Sequence, residues 1–122
     1  MATILLVDDD EQFRTMLGLV LRRAGYEVRE ACNGSEAISL YQNSQTDLVI
    51  TDLIMPDKEG LELIREIHHK HPGAKIIAMS GGGRNGVANY LRVAQAFGAR
   101  RVLDKPFSHQ EMLDAISDVL AV

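Results

Sequence analysis

Four short apolar runs in this sequence end in residues that could do chemistry. "TILLV" (3–7) runs into Asp8, Asp9 and Asp10, "DLVIT" (47–51) into Asp52, "KIIAM" (75–79) into Ser80, and "RRVL" (100–103) into Asp104 and Lys105. An apolar run calls for burial, whereas clustered like charges resist being brought together. Carboxylates gathered in one place repel unless a cation neutralises them. An all-oxygen donor set with access to water favours Mg²⁺ or Mn²⁺ over zinc. A metal ion beside a further carboxylate, a lysine and a hydroxyl points to phosphoryl chemistry. The cations offset charge on the equatorial oxygens while a carboxylate attacks phosphorus to form an aspartyl phosphate.

The elements between these residues decide whether they meet. After "TILLV", residues Phe13, Met16, Leu17, Val20, Leu21 and Ala24 form one helical stripe, which Gly25 stops. "EVREA" (27–31) is a more polar strand suited to a sheet edge, and Asn33-Gly34 is a turn signal. Ala37, Ile38 and Tyr41 mark a second helix, and Leu61, Ile64 and Ile67 a third that ends before Pro72. Val87, Tyr90, Leu91, Ala94 and Phe97 mark a fourth, closed by Gly98. Ser108 and Glu111 spell a capping box, Phe107 and Met112 a hydrophobic staple, and Met112, Ala115, Ile116, Val119 and Leu120 the buried stripe of a fifth helix. Strand then helix, five times over, with strands apolar on both faces, implies an α/β fold with a parallel sheet. In such sheets sites form at the carboxyl ends of the strands. With the first, third, fourth and fifth strands in the middle and along one edge, Asp8, Asp9, Asp52, Ser80 and Lys105 converge on one rim.

The 122 residues suit a single domain, 1–122, and 46% hydrophobic content supports a real core. Thirteen basic against seventeen acidic side chains give a net charge of −4, which argues against a general nucleic-acid binder. Cys32 is alone, so no internal disulfide forms and a reducing compartment is expected. The N-terminus has no basic leader and no long apolar segment, and no apolar run approaches the ~20 residues of a membrane span. The expectation is a soluble, cytoplasmic protein.

With "LLVDDDEQFR", "DLVITDLIMPDKEGLELI", "IIAMS" and "VLDKPF" in this order and spacing, the chain resembles, over nearly its whole length, the receiver domain of bacterial two-component response regulators. The resemblance implies a flavodoxin-like three-layer sandwich: a five-stranded parallel sheet of order 2-1-3-4-5 flanked by five helices. It implies that Asp52 accepts the phosphoryl group and that Asp8, Asp9, Asp52 and the backbone carbonyl of Ile54 hold Mg²⁺. By the same resemblance Ser80 hydrogen-bonds a phosphoryl oxygen, Lys105 pairs with the phosphoryl group, the Lys105–Pro106 bond is cis, and Gly60 is the small residue that opens the third helix. The implied donor is a sensor histidine kinase or a histidine phosphotransfer protein, and the output is altered affinity for a partner. The implied chemistry is self-catalysed phosphorylation and slow dephosphorylation, a switch rather than a turnover enzyme. The expected unit is a stand-alone receiver domain, monomeric or weakly dimeric.

The sequence departs from the family pattern in two places. Val102 stands three residues before the lysine, where the family usually carries an aromatic ring that rotates with the switch. The segment from Ser80 to Lys105 is a few residues longer than usual, with the excess in "GGGRNG" (81–86), read as a mobile loop that orders on phosphorylation. That loop also imitates a G-x-G-x-x-G dinucleotide fingerprint, although the fourth unit of a small domain is the wrong place for one. Two rival functions follow: a docking domain that is never phosphorylated, and an aspartate-nucleophile phosphohydrolase built on Asp8-x-Asp10. Several residues have plainer readings. Asp10 and Glu11 suit a helix start, Asp104 and the arginines 92, 100 and 101 are solvated charges, His68, His69 and His71 make a solvated helix end, and Cys32 is a small buried hydrophobe.

Overall fold

The computed structural model describes residues 2–53, 60–81 and 87–121, with the side chains of 87–91 not described. Ten elements alternate along the chain: β1 (Thr3–Val7), α1 (Glu11–Arg23), β2 (Glu27–Ala31), α2 (Gly34–Asn43), β3 (Leu48–Asp52), α3 (Gly60–Lys70), β4 (Ile76–Ser80), α4 (Val87–Phe97), β5 (Arg101–Asp104) and α5 (His109–Leu120). The strands form one parallel sheet in the order β2-β1-β3-β4-β5.

Alternation along the strands divides the core in two. Ile4 and Leu6 of β1 pack on one face with Leu17 and Leu21 of α1 and Met112, Ala115, Ile116 and Val119 of α5. Leu5 and Val7 point the other way, to Ala37 and Tyr41 of α2, Leu63, Ile64 and Ile67 of α3, and Ala94 of α4. A strand covered on both faces needs apolar residues at every position, which is why β1, β3 and β4 read as unbroken runs. No described helix is long and apolar enough to cross a membrane.

The helix starts follow local chemistry. Asp10 caps α1, its carboxylate accepting from the Phe13 N–H at 3.1 Å. Asn33 caps α2 by accepting from the Glu36 N–H at 2.8 Å, so the Asn33-Gly34 pair opens a helix rather than making a free-standing turn. The Ser108–Glu111 capping box is formed in both directions.

The structure corrects several sequence expectations. β3, β4 and β5 each sit one residue later than expected, because backbone pairing runs on through Asp52↔Met79 and Ser80↔Asp104 regardless of side-chain polarity. Met16 is exposed and Ala24 is an exposed cap, since the buried edge of α1 follows Leu17, Gly18 and Leu21. Cys32 is exposed, lying past the end of β2 with the Asn33 side-chain amide 3.6 Å from its sulfur. His68 is not solvated: it is half-buried against the α4–β5 turn, and its Nδ1 is buried without a hydrogen bond. Gly98, at φ +129°, is what admits it, because a Cβ there would come within 2.7 Å of the imidazole. Tyr90 and Leu91 have no described side chains, and residues 82–86 of the glycine loop lie outside the described residues.

Burial pushes the Tyr41 phenol above its ordinary value of 10.0. The folded state therefore disfavours the phenolate. The stability contributed by the neutral ring is complete below the unfolded value and is lost as pH rises through the raised folded one. Tyr41→Phe is expected to flatten the fall in thermal midpoint above about pH 10. An alkaline fall identical to wild type would assign that dependence to other groups.

Candidate functional site

β1 and β3 are neighbours in the sheet and end on the same rim, where β1 passes into Asp8 and β3 closes with Asp52. Asp8 is fully buried and held on every side. Its N–H donates to the Ala31 carbonyl at 3.1 Å, and its Oδ1 accepts from the Asp10 N–H at 2.9 Å. Its Oδ2 accepts from Lys105 Nζ at 2.8 Å, and its carbonyl accepts from Arg14 Nη1 at 2.7 Å. Asp9 is exposed to solvent, so the cluster opens to water on that side. One carboxylate oxygen from each of Asp8, Asp9 and Asp52 lies within 4.8 Å of the others.

Lys105 reaches this cluster from across the sheet. Its N–H donates to the Ser80 carbonyl at 2.9 Å, which ties the β5–α5 connection to the end of β4. Its ammonium lies 2.8 Å from Asp8 Oδ2 and 3.5 Å from Asp52 Oδ2, and the Lys105–Pro106 bond is cis. Ser80 is 4% exposed at the end of β4, beside β3. Ile54, whose carbonyl was expected to join the metal set, lies outside the described residues. Val102 is half-buried against the helix α2–α4 side of the core.

The donor set fits a hard divalent cation. All the donors are oxygens and one side is open to water. Three carboxylates facing one ammonium leave two negative charges, the complement of a single such ion. Asp10 caps α1 through its Oδ1 and is not one of the three acids of this group, which does not favour the Asp8-x-Asp10 reading of a phosphohydrolase.

Sequence reasoning missed what holds Asp8. Arg14 Nε pairs with Glu30 Oε1 at 3.0 Å while Nη1 holds the Asp8 carbonyl, and Arg22 grips the other Glu30 oxygen at 3.1 Å. A charged residue in the middle of an amphipathic helix start, and another in an edge strand, were the available signals. Arg14 is only 13% exposed, so breaking this pair leaves buried polar groups unmatched. Arg14→Met is expected to lower unfolding free energy by about 2 kcal/mol in chemical denaturation. A loss under about 0.5 kcal/mol would reduce the pair to a surface contact.

A five-stranded sheet of this order, with three acids, a hydroxyl and a lysine on one rim, defines a class. The chain belongs to the response regulator receiver domain family, whose model matches residues 4–117. It is 38% identical to the chemotaxis protein CheY of Thermotoga maritima over 117 residues, 95% of each chain. It is 40% identical over 119 residues to the DNA-binding transcriptional regulator NtrC of Azospirillum brasilense, covering 98% of this chain and 24% of that protein. The sensor kinase CckA of Brucella abortus is 34% identical over 121 residues, 98% of this chain and 12% of its own length. The chain therefore spans about a quarter or less of these last two relatives. Among solved structures, a putative response regulator from Chloroflexus aurantiacus superposes with a TM-score of 0.92 at 32% identity, covering 99% of this chain and 98% of that one.

Proposed function

We propose that this chain is a phosphoryl-accepting switch in which Asp52 is the acceptor. The observation that carries the reading is the Lys105 ammonium lying between the carboxylates of Asp8 and Asp52 at a rim that also carries Asp9 and Ser80. The donor class is a phosphohistidine on a sensor histidine kinase or a histidine phosphotransfer protein. An Asp52 carboxylate oxygen attacks phosphorus in line with the leaving nitrogen. The O–P bond forms, the P–N bond breaks, and its electron pair returns to the imidazole, which takes a proton from solvent. Lys105 offsets negative charge on the transferring group, and the Ser80 hydroxyl donates to one of its oxygens. Asp8, Asp9 and Asp52 would hold Mg²⁺, or Mn²⁺ in its place, and such an ion would supply further charge neutralisation for the phosphoryl group. Return to the resting state is hydrolysis: water attacks phosphorus and the bond to Asp52 breaks.

The domain acts on itself and does not turn over a substrate. Its output is a population shift between two arrangements with different partner affinity. The lone exposed Cys32 fits a reducing, cytoplasmic setting. The test is intact mass after incubation with a small acyl phosphate, with and without Mg²⁺. One added phosphoryl group that requires the cation is expected. No adduct together with no beryllofluoride binding would replace this reading with a docking domain that is never phosphorylated.

A further inference from the structure

Lys105 carries a flexible side chain, and its two carboxylate neighbours do not by themselves fix where its ammonium sits. Asp8 attracts it at 2.8 Å and Asp52 at 3.5 Å, and collapse onto Asp8 alone would withdraw it from the acceptor. A third neighbour closes this space. The Lys105 Nζ lies 4.0 Å from the centroid of the Phe13 ring, well inside the ~6 Å range of cation–π attraction. The ring is itself held. Phe107 meets it edge-on, centroids 6.0 Å apart at 85°, and the Phe13 N–H is the group capped by Asp10. Phe107 follows Lys105 by two residues, so the first turn of α1 and the β5–α5 connection close around the ammonium together. The helical stripe accounts for Phe13 as an apolar core residue, but Leu or Met would fill that stripe equally well and would offer no π face.

We propose that Phe13 is a positioning residue whose ring seats the Lys105 ammonium between Asp8 and Asp52. This deepens the phosphoryl-acceptor reading and rests on it. The aromatic face retains the charged head group at the acceptor without competing for the phosphoryl group, as a further carboxylate would.

The test compares wild type with Phe13→Leu and Phe13→Tyr, the first keeping apolar bulk and the second keeping the ring. Two quantities are read: the rate of phosphorylation by a small acyl phosphate with Mg²⁺, and the NMR shifts of the Lys105 ε-methylene protons, which a ring beneath them moves upfield. Phe13→Leu is expected to slow phosphorylation about 3- to 10-fold and to move the Lys105 resonances downfield, with Phe13→Tyr within about twofold of wild type on rate. A Leu variant that matches wild type in either quantity overturns the proposal, as does a Tyr variant as slow as Leu. If Phe13→Leu does not fold, Phe13→Met is read in the same way. Wild type that takes no phosphoryl group sinks the underlying reading instead, and the Lys105 resonances then decide alone whether the aromatic seat exists.

Discussion

Asp52→Asn is expected to take no phosphoryl group from an acyl phosphate under conditions that load wild type, and to remain folded. The amide is nearly the same size as the carboxylate but lacks the anionic oxygen that attacks phosphorus. The substitution is also gentle to the fold. The Asp52 side chain is only 11% exposed and shares its rim with two other acids, so removing one charge relieves like-charge repulsion. Its loss to Lys105 is modest, because the ammonium keeps its shorter contact to Asp8. The thermal midpoint should therefore fall by no more than a few degrees, corresponding to about 1 kcal/mol or less. Intact mass and thermal unfolding measured on one preparation separate chemistry from folding. A single phosphoryl adduct on the Asn variant would move the acceptor to Asp8 or Asp9.

The second large effect is steric. Gly60 opens α3 with its N–H donating to the Leu53 carbonyl at 2.9 Å. A Cβ at this position would run into the Asp52 carbonyl oxygen and come within 2.6 Å of the Leu53 Cα. These are backbone atoms with no rotamer by which to move aside. The same Asp52 carbonyl accepts from the Thr51 hydroxyl at 2.9 Å, deep in the core, so it is held from below as well. Gly60→Ala must then push α3 away from the end of β3. The expected loss is about 3 kcal/mol or more, a drop of roughly 10 °C in thermal midpoint. Phosphorylation should slow in the fraction that folds, because the displaced backbone carries Asp52. A midpoint within about 3 °C of wild type would show that the β3–α3 connection yields cheaply.

The legible part of this protein was local. The Ser108–Glu111 capping box and the stop before Pro72 depend on near neighbours and were found where the sequence put them, while the apolar runs became strands within one residue of their expected bounds and the helices lie on the expected segments. The errors came where burial is decided by what crosses over from elsewhere. Met16 belongs to the apolar period of α1 yet faces solvent, because the face of the helix that packs on the sheet and α5 is the one carrying Leu17 and Leu21. Cys32 was read as buried from residue type alone, but it lies past the last paired residue of β2, in the approach to α2.

The site divides in the same way. Sequence alone determined that acids, a hydroxyl and a lysine stand at strand ends, since in a parallel sheet every strand delivers its last residue to the same rim. It also determined that both sheet faces are covered, since only then is an unbroken apolar strand stable. Only the tertiary structure decided that Lys105 meets Asp8, 97 residues away, and at which distance from Asp52. It likewise decided that Arg14 spans from Asp8 to Glu30 and that the Phe13 ring lies beneath the ammonium. Periodicity is a property of one element, set by 2 or 3.6 residues per turn of the pattern. Contacts among β1, α1, β2 and β5 depend on how the crossovers stack those elements and on which rotamers the packed space leaves open.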